Sequence, residues 1–321
     1  MIYIENKSIN PSYNHALEEY FMKDTDQSVF MLWQNEPTVL VGRNQNVDLE
    51  VDKKYTKDHG IHVIRRKSGG GAIFCDLGNM QYSFITDNDG SANSFQLFAM
   101  PVVDALKKLG IHAEFTGRND IIADGKKISG NAQYKWKKRI VHHGTLLFNV
   151  DHIALKNSLK TRDIKFVDKS VKSISSRIGL IKDMVDMDVY SFMNYIRDNI
   201  IDYYNIKEFR SPSKYEKEAL KKYLDEFPEL NDSEDETSHK YYMAKKYSFG
   251  LVEYGLDLEE DKIVELKIAG DYFEERDINE YLNELRGIRL DELKDIGLDI
   301  GDYILGFNND DFINDILNIK E

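Results

Sequence analysis

The chain has 321 residues, a formal net charge of −13, 41% hydrophobic content and a mean hydropathy of −0.52. That size holds one large domain, or a large and a small one, and no run approaches the roughly 18 apolar residues that cross a membrane. A single cysteine, Cys75, excludes an internal disulfide framework and a zinc site built on several thiolates. It suits a reducing cytoplasm, as does an N-terminus without the basic region and apolar core of a secretory signal. The negative charge is local: Leu251 to Glu321 holds 21 acidic and 7 basic residues, leaving 35 and 36 in the 250 residues before it. Nucleic acid is thereby disfavoured as the main partner, whereas an anionic ligand near the first part is not.

Taken in order, Ile2 to Ile4 reads as a short strand. Asn10-Pro11 starts a helix that runs through Ala16, Leu17, Tyr20 and Phe21, with Asn as cap and Pro in the first turn. Val29 to Trp33 and Thr38 to Gly42 read as strands, and Val51 to His59 as a helix. Strands are expected at Ile61 to Ile64, Ala72 to Phe74 and Met80 to Ile85, then a helix from Ser94 to Leu109 that ends at Gly110. Short strands follow at His112 to Phe115, Asp120 to Ala123, Lys127 to Gln133 and Arg139 to Val150. The pattern then turns helical and polar, with a credible amphipathic helix over Met187 to Tyr204. Pro228 to Thr237 is acidic, polar and linker-like. Beyond it, Tyr247 to Leu256 and Lys262 to Ala269 read as strands, and Ile278 to Leu285 and Asp310 to Leu317 as helices. This is a mixed α+β chain with two expected domains, residues 1–235 and a small acidic one at 236–321.

Arg65-Arg66-Lys67-Ser68-Gly69-Gly70-Gly71-Ala72 lies between two strand-like runs. Glycines without a Cβ let backbone N–H groups approach an anion, and the arginines and Ser68 add donors. The plain alternative is a glycine-rich hairpin with solvated strand ends. Lys126-Lys127-Ile128-Ser129-Gly130 is a second glycine-bearing stretch. As a regular strand it places Lys127 and Ser129 on one face, where the lysine can neutralise a phosphate or carboxylate, or simply decorate a hairpin. Asp120, after Gly117-Arg118-Asn119, can hold Mg2+ or form a turn. His142 and His143 are adjacent on a strand, so they project to opposite faces and do not chelate one metal. Cys75 is the sole thiol, with no base beside it in sequence.

Together these stretches resemble the lipoate–protein ligase A family, in its long form with a C-terminal accessory domain. The resemblance is carried by five ordered blocks. They are Leu32-Trp33-Gln34-Asn35 with Thr38 to Asn46; Arg65 to Asn79; Gly117 to Asp120; Lys127 to Ala132; and His142 to Asn149. It implies a mixed sheet flanked by helices, related to the class II synthetase and biotin-ligase folds. It also implies a two-step reaction, in which ATP activates lipoic acid to lipoyl-AMP and a lysine of an acceptor lipoyl domain then takes the acyl group. By this resemblance Lys127 is the catalytic lysine and Asp120 holds Mg2+. Gly69, Gly70, Gly71, Ala72, Asn79, Ser129, Gly130 and Ala132 contact the adenylate, Arg66 and Ser68 close the glycine loop, and Trp33 and His143 line the acyl pocket. Ser173, Ser175 and Arg177 belong to a loop that closes over the adenylate.

The implied acceptors are the glycine cleavage H protein and the acyltransferase subunits of 2-oxo acid dehydrogenases, met by a cytoplasmic monomer that needs neither nucleic acid nor membrane. Two other readings share the fold: an ATP-independent lipoyl or octanoyl amidotransferase acting through Cys75, and a non-catalytic lipoyl-domain-binding protein. A biotin ligase is disfavoured because no Gly-Arg-Gly-Arg loop occurs.

Overall fold

The computed structural model of the chain describes residues 1–91, 94–160, 178–233 and 238–320. The chain starts with β1 (Ile2–Glu5), α1 (Pro11–Lys23), β2 (Val29–Trp33), β3 (Thr38–Val41), α2 (Val47–Glu50), α3 (Lys53–Asp58), β4 (His62–Arg65) and β5 (Ile73–Cys75). It continues through β6 (Met80–Asp87), α4 (Ser94–Lys108), β7 (Ala113–Thr116), β8 (Asp120–Ala123), β9 (Lys126–Trp136), β10 (Arg139–Leu146) and α5 (His152–Ser158). Next come α6 (Val189–Tyr203), β11 (Phe209–Arg210) and α7 (Lys214–Ala219). The last part holds β12 (Tyr241–Tyr247), β13 (Gly250–Glu259), β14 (Lys262–Gly270), α8 (Ile278–Glu284) and α9 (Asn309–Asn318).

Eight strands form one mixed sheet in the order β11-β1-β2-β6-β10-β9-β8-β7, and the expected mixed α+β architecture is what the chain adopts. Period-two alternation decides what each face receives. On β2, Phe30 and Leu32 join Phe98, Val102, Phe192 and Ile196 from α4 and α6. Val29, Met31 and Trp33 point the other way, against Ala16, Leu17 and Phe21 of α1 and the turn residues Leu220, Tyr223 and Phe227. Asn10 caps α1 by accepting from Tyr13 N at 2.8 Å, and Pro11 opens its first turn.

A second sheet, β4-β3-β5, carries the glycine loop between β4 and β5 and packs on Val47, Val51, Val150 and Leu155. The helix expected over 51–59 is shortened to Lys53–Asp58, because Val51 leaves helical geometry to bridge Leu159 and ends a separate turn of helix over Val47–Glu50. β10 stops at Leu146, short of the Val150 expected from composition.

The C-terminal part is a three-stranded meander, β12-β13-β14, covered by α8 and α9. One strand was expected over Tyr247 to Leu256. The chain instead turns at Ser248-Phe249, so Tyr241–Tyr247 pairs antiparallel with Gly250–Glu259.

Candidate active site

The α1-facing side of the large sheet builds the floor of a cleft. Cross-strand register aligns Trp33 with Gln81, and Gln81 with Thr145. In the next row Met31 meets Ser83, Ser83 meets His143, and His143 meets Ala132. The strand faces thus gather residues that are far apart in sequence. α1 and the glycine loop close over this floor, leaving a cavity of about 130 Å3 lined by His15, Trp33, Arg66, Lys127, Ala132 and His143 among others. A wider groove of about 480 Å3 continues from it past Asp120, Leu147 and Ile178. Gly71, Ala72, Ile73, Lys127, Gly130 and Thr145 line both, so Lys127 stands where the two compartments meet.

A β-bulge explains why Lys127 is there. Ile121 pairs with Ser129 and Ile122 with Lys127, which leaves Ile128 as the extra residue. Ile128 packs in the core on the α4 side, and Ser129 is buried near Asn131, whose Nδ2 is 3.5 Å from its Oγ. The bulge therefore breaks the alternation expected for a regular strand: Lys127 turns to the cleft with Gly130, and Ser129 does not. Lys127 Nζ lies 2.8 Å from Asp120 Oδ1, an ion contact not aligned as a hydrogen bond, and both side chains are about one-third exposed. A Cβ at Gly130 would stand 2.9 Å from that ammonium, so any larger residue there would move the lysine's tip.

The glycine loop is held from within by Arg66. Its guanidinium donates to the carbonyls of Leu40, Gly69 and Gly71 at 2.7–3.0 Å, and Nε donates to Ser68 Oγ at 3.1 Å. Burial pushes its pKa down to about 10, so it stays cationic at neutral pH. Gly70 sits at φ +86°, a conformation that glycine tolerates, and its N–H donates to the Tyr272 carbonyl at 2.9 Å. The donor expected to face an adenylate is thus held by the segment after β14. Phe273 follows, stacked 4.3 Å under the Arg118 guanidinium.

Below the loop runs a buried polar chain that the motifs did not reveal. Ser68 Oγ is 2.7 Å from His143 Nε2, and His143 Nδ1 is 3.0 Å from Glu18 Oε1. Glu18 Oε2 is 2.7 Å from His15 Nδ1, and Ser83 Oγ donates to Glu18 Oε1 at 2.6 Å while accepting from Trp33 Nε1 at 2.9 Å. Burial alone would raise the Glu18 carboxyl, but the charge and hydrogen bond of His143, with the bond to His15, outweigh it and hold it well below the usual carboxylate range. His142, as expected, faces the other way, stacked on Phe98 at 5.3 Å and bonded to Gln133 and Asn131.

Of the expected site residues, Trp33, Arg66, Gly70, Gly71, Ala72, Lys127, Gly130, Ala132 and His143 line the small compartment. Asp120 lines the groove, and Ser68 acts through Arg66 and His143. Gly69 packs against the Tyr272 carbonyl, where any Cβ would collide. Asn79 lines neither compartment, although both polar atoms of its buried amide lack partners. Ser173, Ser175 and Arg177 lie outside the described residues. Cys75 is fully buried against Leu40 and Ile64, and burial pushes its thiol up to about 12, which removes it as a nucleophile at neutral pH. Missed by sequence reasoning were His15 and Glu18. The one available signal was that His15, Glu18 and Glu19 fall on the buried face of α1.

A small compartment that meets a wide groove beside a lysine can hold two ligands against one cation. Comparison with known proteins gives the family. Residues 10–201 match the lipoyl protein ligase A/B catalytic domain, and residues 236–316 the bacterial lipoate protein ligase C-terminus. The chain is 37% identical over 330 aligned positions to lipoate-protein ligase LplJ of Bacillus subtilis, covering 98% of this chain and 99% of that protein. The fold is that of P. falciparum LipL1 in complex with lipoate, with a TM-score of 0.80 at 21% identity over 100% of this chain and 99% of that one. A crystal structure of lipoate-protein ligase A bound with ATP superposes with a TM-score of 0.60 at 26% identity, over 72% of this chain and 93% of that one. The chain therefore belongs to the lipoyl protein ligase A/B family.

Proposed function

We infer that the protein is an ATP-dependent lipoate–protein ligase that activates free lipoate to lipoyl-AMP and passes the acyl group to a lysine of a lipoyl-domain protein. One observation carries the residue-level reading: Lys127 lines both compartments. The small compartment, floored by Trp33 and walled by Ala72 and Ile73, takes the apolar acyl chain. The groove takes the nucleotide, so the acid's carboxylate and the α-phosphate meet beside the ammonium. Negative charge builds on the α-phosphoryl oxygens when the carboxylate attacks the phosphorus and pyrophosphate leaves, and on the acyl oxygen and the departing phosphate when the acceptor amine attacks the acyl carbon and AMP leaves. A fixed cation there stabilises both transition states more than either ground state.

Asp120 fits a Mg2+ ion accompanying ATP, since it offers a carboxylate on the groove wall and Mg2+ takes only one or two with phosphate oxygens completing its shell. The ion would neutralise phosphate charge. Residues 1–235 form the catalytic unit and 236–321 the accessory one, and the family's name supports lipoyl domains as acceptors. Glycine cleavage H protein and the dehydrogenase acyltransferases are the two to try. Incubating the purified protein with lipoate and each acceptor, with and without MgATP, tests the reading. Transfer without ATP of the acyl group from an already acylated lipoyl domain to a second one, the first domain's lysine leaving as the amine, would return the amidotransferase alternative.

A further inference from the structure

Two residues lining the small compartment carry buried polar atoms without a partner: Gln81, at both Nε2 and Oε1, and His15, at Nε2. His15 Nδ1 is bonded to Glu18, whereas Nε2 is buried without a donor or acceptor beside it. The ring lines the compartment but not the groove, which places it away from the Lys127 junction. It is held there edge-on to Trp33 at 5.2 Å and stacked on Phe227 at 5.5 Å. Glu18 is ionised and can only accept, so the proton between the two residues sits on His15 Nδ1. Burial is the largest influence on His15 and lowers its pKa from 6.5, despite the Glu18 carboxylate, which keeps the ring neutral. Nε2 is then a bare lone pair, buried and without a donor beside it. An acceptor left unmet in such a place costs free energy that a ligand donor recovers.

We propose that His15 is a specificity-determining residue, whose Nε2 accepts a hydrogen bond from the far end of the acyl chain and so favours the dithiol form of lipoate. The dithiol offers S–H donors, whereas the cyclic disulfide and the terminal methyl of octanoate offer none. The inference rests on assigning the small compartment to the acyl chain.

ATP–pyrophosphate exchange by the full-length protein tests it, with dihydrolipoate kept reduced under anaerobic conditions, lipoate and octanoate as the three acids. The wild type is expected to show a kcat/KM for dihydrolipoate about tenfold above that for octanoate or lipoate, the value of one hydrogen bond to a buried acceptor. In His15→Leu that ratio should collapse to about one. Equal use of the three acids by the wild type, which needs no variant to fold, overturns the proposal, as does a ratio that survives His15→Leu. Trp33→Ala separates the underlying reading: if it leaves all three acids used as in the wild type, the compartment does not hold the chain.

Discussion

The backbone N–H of Gly70 and the carbonyl oxygen of Tyr272 are joined by a hydrogen bond of 2.9 Å, so the tip of the glycine loop is tied to the segment leaving the small sheet. Phe273 reinforces the tie. Its ring stacks under Arg118, lies 5.2 Å from Phe95, and stands where a Cβ at Gly70 would meet it at 2.9 Å. Gly70 N–H cannot serve Tyr272 and a phosphate at once.

Phe273→Ala should therefore loosen the segment and lower the KM for ATP about fivefold, the worth of one cation–π contact and one aromatic pair. Initial rates of pyrophosphate exchange at varied ATP measure this. A KM that is unchanged or raised means that Tyr272 does not compete with the nucleotide.

Gly42 bears on the same loop from the other side. A Cβ there would run into the Gly70 carbonyl. Gly42→Ala should destabilise the protein by about 1–3 kcal/mol, as overpacking does against backbone that cannot move aside. Thermal unfolding followed by far-UV circular dichroism reports it, and a melting point equal to that of the wild type would show that the loop gives way freely.

Acid should remove two contributions to stability, both of one sign. His15 and His142 are buried, and burial, first among the causes, lowers the pKa of each from 6.5. At these two sites the folded state then binds fewer protons than the unfolded one below about pH 6.5, so their contribution falls as pH drops through that region. Glu18 follows lower down: its folded pKa lies below the ordinary 4.5, so its contribution is complete above that value and lost beneath it. Glu274, whose carboxyl burial pushes up to about 7, works against the histidines in the same window, because it favours the fold as it takes up a proton. His15 is therefore read by difference: between pH 7 and pH 5 the urea midpoint of the wild type should fall further, or rise less, than that of His15→Leu. Equal changes in the two proteins would contradict a neutral buried His15.

Cys75→Ser should keep ATP-dependent transfer within about threefold of the wild type at 25 °C, with some loss of stability from burying a hydroxyl among apolar residues. Abolished transfer in a variant that still folds would reopen the thiol route.

The parts legible in the sequence were those written locally. The glycine run, the Lys127-to-Ala132 stretch and the paired histidines each announced a chemistry by composition, and the order of the blocks pointed to the family that the comparisons show. Adjacent positions on a strand point to opposite faces, and His142 and His143 separate as that rule requires. What stayed hidden depends on distance or on irregularity. Glu18 meets His143 across 125 positions, and on α1 it reads only as part of a helix. The bulge at Ile128 inverts the side on which Lys127 lies relative to Ser129, and nothing in Lys-Lys-Ile-Ser-Gly marks the extra residue. The Tyr272–Gly70 bond joins two parts of the chain whose composition differs most, and no pattern links them.

The central claim is that Lys127, at the meeting of the two compartments, promotes formation of lipoyl-AMP. The most direct measurement is pyrophosphate release on mixing enzyme with lipoate and MgATP, without acceptor, for wild type and Lys127→Ala. The wild type should release a burst of one pyrophosphate per enzyme. Lys127→Ala, with its far-UV spectrum unchanged, should be slower by about a hundredfold or more, as expected when one transition-state charge donor is removed. A burst of the same rate in the variant would contradict the account.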